Sequence, residues 1–62
     1  MNIEMLLKEF KNIKDHEERA KNFYDHYIDQ VDDEKVKKVL ISIRDDEIRH
    51  IKIADKLIET VS

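Results

Sequence analysis

Three ionisable residues of this 62-residue chain have the types and spacing of metal ligands: Glu17, Glu47 and His50. Glu47 and His50 form a Glu-x-x-His pair, which on a helix places a carboxylate and an imidazole on one face, one turn apart. Carboxylate and imidazole groups suit iron or manganese, and zinc is a further candidate. The pattern therefore predicts a metal site, to which Glu17 adds a second carboxylate.

The elements that must position these residues follow from the apolar pattern. Apolar residues recur every three or four positions on both sides of one turn-like stretch, residues 29–33, as is typical of helices that pack along one face. The pattern predicts helices over roughly residues 3–29 and 33–60, with a turn at about 30–32. The apolar positions are Ile3, Leu6, Phe10, Ile13, Ala20, Tyr24, Tyr27 and Val31, then Val36, Leu40, Ile43, Ala54, Leu57 and Val61.

Polar residues flank and interrupt this pattern. Asn2 is the candidate N-cap of the first helix, and Asp32 or Asp33 that of the second. Continuing the apolar spacing through its gaps leads to the three candidate ligands. The glutamate of the first helix lies about as far before the turn as the other two residues lie after it, so an antiparallel hairpin brings all three to one level. If the register of the first helix is off by one, Glu18 takes the place of Glu17.

An unpaired carboxylate buried at such a position is unfavourable, so something must compensate it. The alternative to a metal is that polar residues in the contact merely set the register or the oligomeric state. Glu-x-x-His pairs also arise by chance, and a lone histidine is often a core or surface residue. The coincidence of three such residues at one level favours the metal site.

Further polar residues near the candidate ligands have two interpretations each. Tyr24 lies two turns after Glu17 on the same face, where its hydroxyl could hydrogen-bond a ligand carboxylate or simply belong to a core aromatic. His16 could help metal ions to reach the site, although a solvated histidine is the simpler interpretation. His26 lies off the apolar stripe. Of the run Asp45-Asp46-Glu47, the two aspartates are expected to face solvent.

Composition narrows the class of protein. The chain has no Cys, Gly or Pro, which excludes a disulfide framework, a zinc finger, thiol catalysis and a phosphate-binding glycine loop. Its 12 basic and 15 acidic residues give a net charge of −3 and are interspersed, so no nucleic-acid partner is indicated. No apolar run approaches the roughly 18 residues of a membrane span, and no signal peptide is visible. We expect a soluble, cytoplasmic protein.

A chain this short buries little core by itself and often relies on a metal or a partner. We expect one all-α domain over residues 1–62, an antiparallel two-helix hairpin that dimerises into a ferritin-like four-helix bundle. A two-fold dimer offers four carboxylates and two imidazoles, the ligand set of a di-iron carboxylate site. Apolar residues off the stripe or near its edge could form a second contact between dimers or be singly exposed: Ile41, Ile48, Met5 and Phe23.

Two segments, residues 17–25 (EERAKNFYD) and residues 44–50 (RDDEIRH), resemble the encapsulated ferritins and, more loosely, the rubrerythrins. The resemblance covers about residues 16–60. Encapsulated ferritins are two-helix half-ferritins that build a di-iron ferroxidase centre across a dimer interface. The resemblance implies that Glu17, Glu47 and His50 bind iron, two ions per dimer, with Glu47 bridging the ions and His50 a terminal ligand.

The resemblance also implies a function and partners. It predicts oxidation of Fe(II) to Fe(III) in iron storage or detoxification, a homodimer or a ring of dimers, and an encapsulin shell protein whose nanocompartment houses the chain. The chain differs from the family in ending at Ser62 without a further helix and targeting tail, and in carrying His16 and Arg19 where acidic residues would guide metal inward. The alternatives are a rubrerythrin-like peroxidase, a zinc-loaded module without redox turnover, and a non-catalytic helical dimerisation module.

Overall fold

A computed structural model describes residues 1–62 and contains two helices and no strand. Helix α1 spans Ile3–Gln30 and helix α2 spans Glu34–Val61, and they form a hairpin with extents of 47 × 14 × 14 Å. The predicted all-α helical hairpin is confirmed. The bounds differ from the predicted ones by one residue at the end of α1 and at both ends of α2. Neither helix contains a stretch apolar enough to cross a membrane.

Both helices begin at a side-chain cap. The Asn2 side chain accepts a hydrogen bond from the Met5 N–H at 2.8 Å, and Asp33 accepts one from the Val36 N–H at 2.9 Å. These bonds satisfy backbone donors that have no partner within the first turn. Of the two candidate caps of α2, the cap is therefore Asp33. Val31 ends α1 by donating its N–H to the Tyr27 carbonyl.

Replacing the α2 cap tests this assignment. Asp33→Ala should lower the free energy of unfolding by about 1 kcal/mol, because it removes the partner of the Val36 N–H. The adjacent Asp32→Ala, which leaves that bond intact, should change it by less than about 0.5 kcal/mol. Urea denaturation followed by circular dichroism at one chain concentration measures both values. Equal losses in the two variants would contradict the assignment.

The contact between the helices is narrow. Ala54 is the only fully buried residue, at 2% exposure, and the other residues along the contact are half-buried. These half-buried positions repeat at helical spacing, which marks one line of contact on each helix. They include Leu7, Phe10, Lys14, Glu17, Lys21, Tyr24 and Ile28 in α1, and Leu40, Ile41, Arg44, Glu47, Ile48, Ile51 and Ile58 in α2.

The line of contact in α2 lies to one side of the predicted stripe. Ile41 and Ile48, expected well off that stripe, are half-buried in the hairpin, which corrects their expected position. Val36 and Leu57, expected on the stripe, remain 47% and 39% exposed. The stripe is wider than one helix–helix contact, so α2 turns only one flank of it toward α1.

Two ion pairs join the helices along one side of the hairpin. The Lys14 Nζ lies 2.7 Å from the Asp55 Oδ1, and the Arg44 guanidinium donates a 2.7 Å hydrogen bond to the Asp25 Oδ1. We call these contacts the interhelical ion pairs and the side that carries them the back face. Lys21 also pairs with Asp25, at 2.8 Å. Lys21 and Arg44 together lower the pKa of Asp25, and Asp55 raises the pKa of Lys14.

Candidate metal centre

The three candidate ligands converge in the middle of the hairpin. Glu17 projects from α1, and Glu47 and His50 project from successive turns of α2. Each offers a ligand atom, and these atoms all lie within 4.8 Å of one another. The His50 Nδ1 and the Glu17 Oε2 are 3.2 Å apart. The neighbouring Glu18 instead approaches Lys14 of its own helix, at 3.8 Å, so the residue that meets α2 here is Glu17.

The cluster contains two carboxylates and only one histidine that could offset their negative charge. The side chain of Glu17 is only 19% exposed and that of His50 is 52% exposed. Burial and the neighbouring Glu17 carboxylate raise the pKa of Glu47, and His50 opposes this shift. Two carboxylates that share one histidine hold more negative charge than the chain neutralises, so the arrangement favours either a bound proton or a bound cation.

The surroundings of the cluster are apolar and open. One groove of about 230 Å³ is bordered by Glu17 and His50 together with Phe10, Ile13, Ile53, Ala54 and Leu57. A second groove is lined by Ile13, His16, Glu17, Ala20 and Glu47. We call the side of the hairpin that carries both grooves the front face. Ile13, Ile53 and Leu57 are 45%, 57% and 39% exposed there. Apolar side chains that are exposed to solvent therefore lie beside the cluster.

The remaining candidate residues, His16, Tyr24 and His26, lie outside the group of three candidate ligands. His16 lines the second groove beside Glu17 and Glu47. Tyr24 is half-buried, and its hydroxyl makes no hydrogen bond within the chain. His26 packs edge-on against Tyr27, with ring centroids 5.7 Å apart, and lines a different groove with Arg19, Asn22 and Phe23.

The acidic run that precedes the second glutamate is engaged in ion pairs. Asp45 contacts the Arg44 Nε at 3.0 Å, and Asp46 pairs with Arg49. Their side chains are 53% and 48% exposed, in keeping with the expected solvent-facing positions. Neither joins the group of candidate ligands.

Sequence reasoning missed the interhelical ion pairs. A signal for them exists in the spacing, because Lys14 and Asp25 are eleven residues apart and so are Arg44 and Asp55. Eleven residues are about three helical turns, which places each pair of residues on one side of its helix. Charges of opposite sign at matched spacing on two antiparallel helices can form two bridges at once.

No family model, curated protein or solved structure matches this chain. The resemblance to the encapsulated ferritins stays a hypothesis that rests on the residues of the two helices.

The raised pKa of Glu47 predicts how stability depends on pH in the metal-free chain. The folded chain binds the proton of the Glu47 carboxyl more tightly than the unfolded chain does. Protonated Glu47 therefore favours folding more than ionised Glu47 does. Its contribution should therefore decline as the pH rises from the ordinary glutamate value, 4.5, through the raised pKa. Metal-free Glu47→Gln should be more stable than the parent at neutral pH, and this difference should shrink in acid.

Thermal unfolding in a chelator at one chain concentration, followed across this pH range, measures the effect. Glu59→Gln is the matched control, because Glu59 is exposed and outside the cluster, and its difference from the parent should not follow the same course. A parent that is more stable than Glu47→Gln at neutral pH would contradict the prediction.

Proposed function

We propose that this chain is a ferroxidase that oxidises Fe(II) to Fe(III) at a di-iron carboxylate site formed between two copies of the chain. The observation that carries the proposal is the convergence of Glu17, Glu47 and His50 within 4.8 Å at the centre of an open apolar face. Two acidic residues on such a face are unfavourable unless a cation compensates them.

A second copy is needed to complete the site. One chain offers two carboxylates and one imidazole, too few ligands for two metal ions. The exposed apolar residues of the front face, Ile13, Ile53 and Leu57, supply a surface that a four-helix bundle would bury. Packing two front faces about a two-fold axis brings four carboxylates and two imidazoles together. Binding of metal only to the paired state would also stabilise the dimer.

The residues present fit the proposed metal. Oxygen and imidazole nitrogen donors without thiolates suit iron and manganese. Donor atoms bonded to one first-row metal ion at about 2.0–2.2 Å are at most about 4.4 Å apart, close to the 4.8 Å within which these atoms lie. Small side-chain adjustments therefore suffice to bring the three donors onto one ion.

In the proposed reaction, the main role of the chain is to bind the iron ions. Iron is the substrate: two Fe(II) ions each give up one electron, and the two electrons with two protons convert dioxygen to hydrogen peroxide, or hydrogen peroxide to two waters. Glu17 and Glu47 attract the cation and favour the more highly charged Fe(III). Burial and Glu17 raise the pKa of Glu47, so a proton competes with the metal there and metal affinity should rise as the pH rises through that pKa. Phe10 and Ile13 give the groove beside the ligands an apolar border.

Storage of the product requires another protein. A pair of hairpins 14 Å thick has no cavity for an iron mineral. By the resemblance to the encapsulated ferritins, we propose that the dimers form a ring in a cytoplasmic nanocompartment and pass Fe(III) to an encapsulin-type shell protein. His16, beside the ligands in the second groove, is placed to meet metal ions on their way to the site.

One observation favours a non-catalytic alternative. The hydrogen bond between His50 and Glu17 already gives each side chain a polar partner, so the cluster could serve only to set the register of a helical dimerisation module. In that case removal of Glu47 should stabilise the assembly, whereas a metal site would lose its metal.

Native mass spectrometry of the metal-free protein, with and without anaerobic Fe(II), tests the site and the dimer together. The parent should form even-numbered oligomers that carry two iron ions per dimer. Glu47→Ala should bind no iron at the same concentration, because it removes a carboxylate from each half of the site. Glu59→Ala is the matched control, since Glu59 is exposed and outside the cluster, and it should bind iron as the parent does. A monomer that retains no iron would overturn the proposal, and zinc retained without oxidation would identify the redox-inactive module.

Oxidation should occur without storage. Fe(II) added aerobically beyond two ions per dimer should be oxidised repeatedly, yet the ferric product should precipitate because the isolated chain has nowhere to hold it. Absorbance of Fe(III) with centrifugation separates turnover from retention. A soluble mineral retained on the isolated chain would contradict this expectation. Turnover with hydrogen peroxide but hardly any with dioxygen would indicate the rubrerythrin-like peroxidase instead.

A further inference from the structure

We propose that the two interhelical ion pairs are positioning residues that select the sliding register of the hairpin and thereby hold Glu17 level with Glu47 and His50. The effect on metal binding rests on the proposed function, whereas the effect on register does not. The pairs are Lys14–Asp55 and Asp25–Arg44.

The two pairs bracket the candidate metal centre. In α1, Lys14 lies three residues before Glu17, and Asp25 lies eight residues after it. In α2, the partners Arg44 and Asp55 lie on either side of the segment that carries the other two ligands. Because the spacing within each helix is the same, both contacts can form only in one register of the two helices.

The rest of the contact discriminates poorly between registers. Apolar side chains recur every three or four residues, so sliding one helix by a turn again places apolar residues opposite apolar residues. The connection at residues 31–33 restrains such a slide only as long as the flanking turns stay helical. A slide of one turn, about 5.4 Å, exceeds the 4.8 Å within which the three ligand atoms lie.

A slide of one turn separates Lys14 from Asp55 and Asp25 from Arg44, and it gives Lys14 and Asp25 other neighbours. A slide of one turn in one direction brings Asp25 level with the apolar residues 40–41 and Lys14 level with residues 51–52, an isoleucine and a lysine. A slide in the other direction brings Asp25 level with residues 47–48, where it meets the carboxylate of Glu47, and Lys14 level with residues 58–59, where Glu59 replaces one of the two lost partners. The observed register is the one in which both interhelical ion pairs form.

The main effect of the interhelical ion pairs is on the register of the helices, and their effect on the free energy of unfolding is small. Ion pairs between exposed side chains contribute little to the free energy of unfolding because water screens them, and the four side chains here are 27–50% exposed. Charge placement can nevertheless separate alternatives that apolar packing leaves nearly equal. The contacts with Lys21 and Arg44 lower the pKa of Asp25, and the contact with Asp55 raises the pKa of Lys14.

Spin-label distances measure the register directly. The chain has no cysteine, so the exposed Lys11→Cys and Lys38→Cys provide two labels far apart along the hairpin, and dilution with unlabelled chain isolates the distance within one chain. Pulsed electron paramagnetic resonance should give one narrow distance for the labelled parent. Neutralising both interhelical ion pairs should add a second distance displaced by about 5 Å. The uncharged variant is Lys14→Gln, Asp25→Asn, Arg44→Gln and Asp55→Asn.

Metal affinity supplies the second readout, with Mn(II) as the probe because it does not oxidise during titration. We expect the uncharged variant to bind Mn(II) at least about tenfold more weakly than the parent. A charge-preserving variant should restore both the single distance and the affinity: Lys14→Arg, Asp25→Glu, Arg44→Lys and Asp55→Glu. A matched control removes two charges of each sign that make no ion pair between the helices, and it should behave as the parent does: Glu9→Gln, Asp29→Asn, Lys35→Gln and Lys56→Gln.

The outcomes separate this proposal from the proposed function. An unchanged distance in the uncharged variant, or a second distance with unchanged Mn(II) affinity, would overturn the positioning role. If the parent chain binds neither Mn(II) nor Fe(II), the proposed function fails, and the distances alone decide the role of the ion pairs. If circular dichroism shows that the uncharged variant has lost its helices, Asp25→Asn alone is measured in its place, with the same expected direction.

Discussion

Two helices have one line of contact, and the apolar stripes of this chain are wider than that line. Only Ala54 is fully buried, although the chain is 40% hydrophobic. Several apolar residues that the contact does not cover lie on the front face, among them Ile13 and Ile53. The candidate metal centre lies at the edge of this contact, because Glu17 and Glu47 are half-buried in it while the side chain of His50 is 52% exposed. The proposed second copy of the chain would cover this surface.

The pKa shifts of charged residues have opposite effects on the two faces of the hairpin: they favour the charged form on the back face and disfavour it on the front face. On the back face, Lys14 and Asp25 have partners within the chain, and their pKa values move in the direction that favours their charged forms. On the front face, Glu47 has the opposite shift, because burial and a second carboxylate disfavour its charge. The hairpin thus holds both stabilised ion pairs and a carboxylate whose charge is disfavoured. Such a perturbed carboxylate beside an open groove is typical of a functional site.

These two faces are coupled through the helix register. The candidate ligands come from different helices, so their separation depends on how far one helix has slid past the other. A metal ion shared by Glu17 and His50 would itself restrain that slide, and so would the pairing of two front faces. If the chain binds metal and pairs as proposed, register, metal binding and assembly would be linked equilibria, in which whatever favours one favours the others.

Much of this architecture is local and could be predicted from the sequence. Apolar spacing, the absence of Gly and Pro, and capping residues such as Asn2 and Asp33 determine two helices and a turn, because helical periodicity and capping act within a few residues. The similar distances of Glu17 and His50 from the turn predict that they lie at one level of the hairpin. Only the tertiary structure decided which flank of each stripe faces the other helix, and so buried Ile48 while leaving the front face open. That choice depends on the packing of two whole surfaces and on charge pairs such as Asp25 with Arg44, which periodicity within a single helix does not encode.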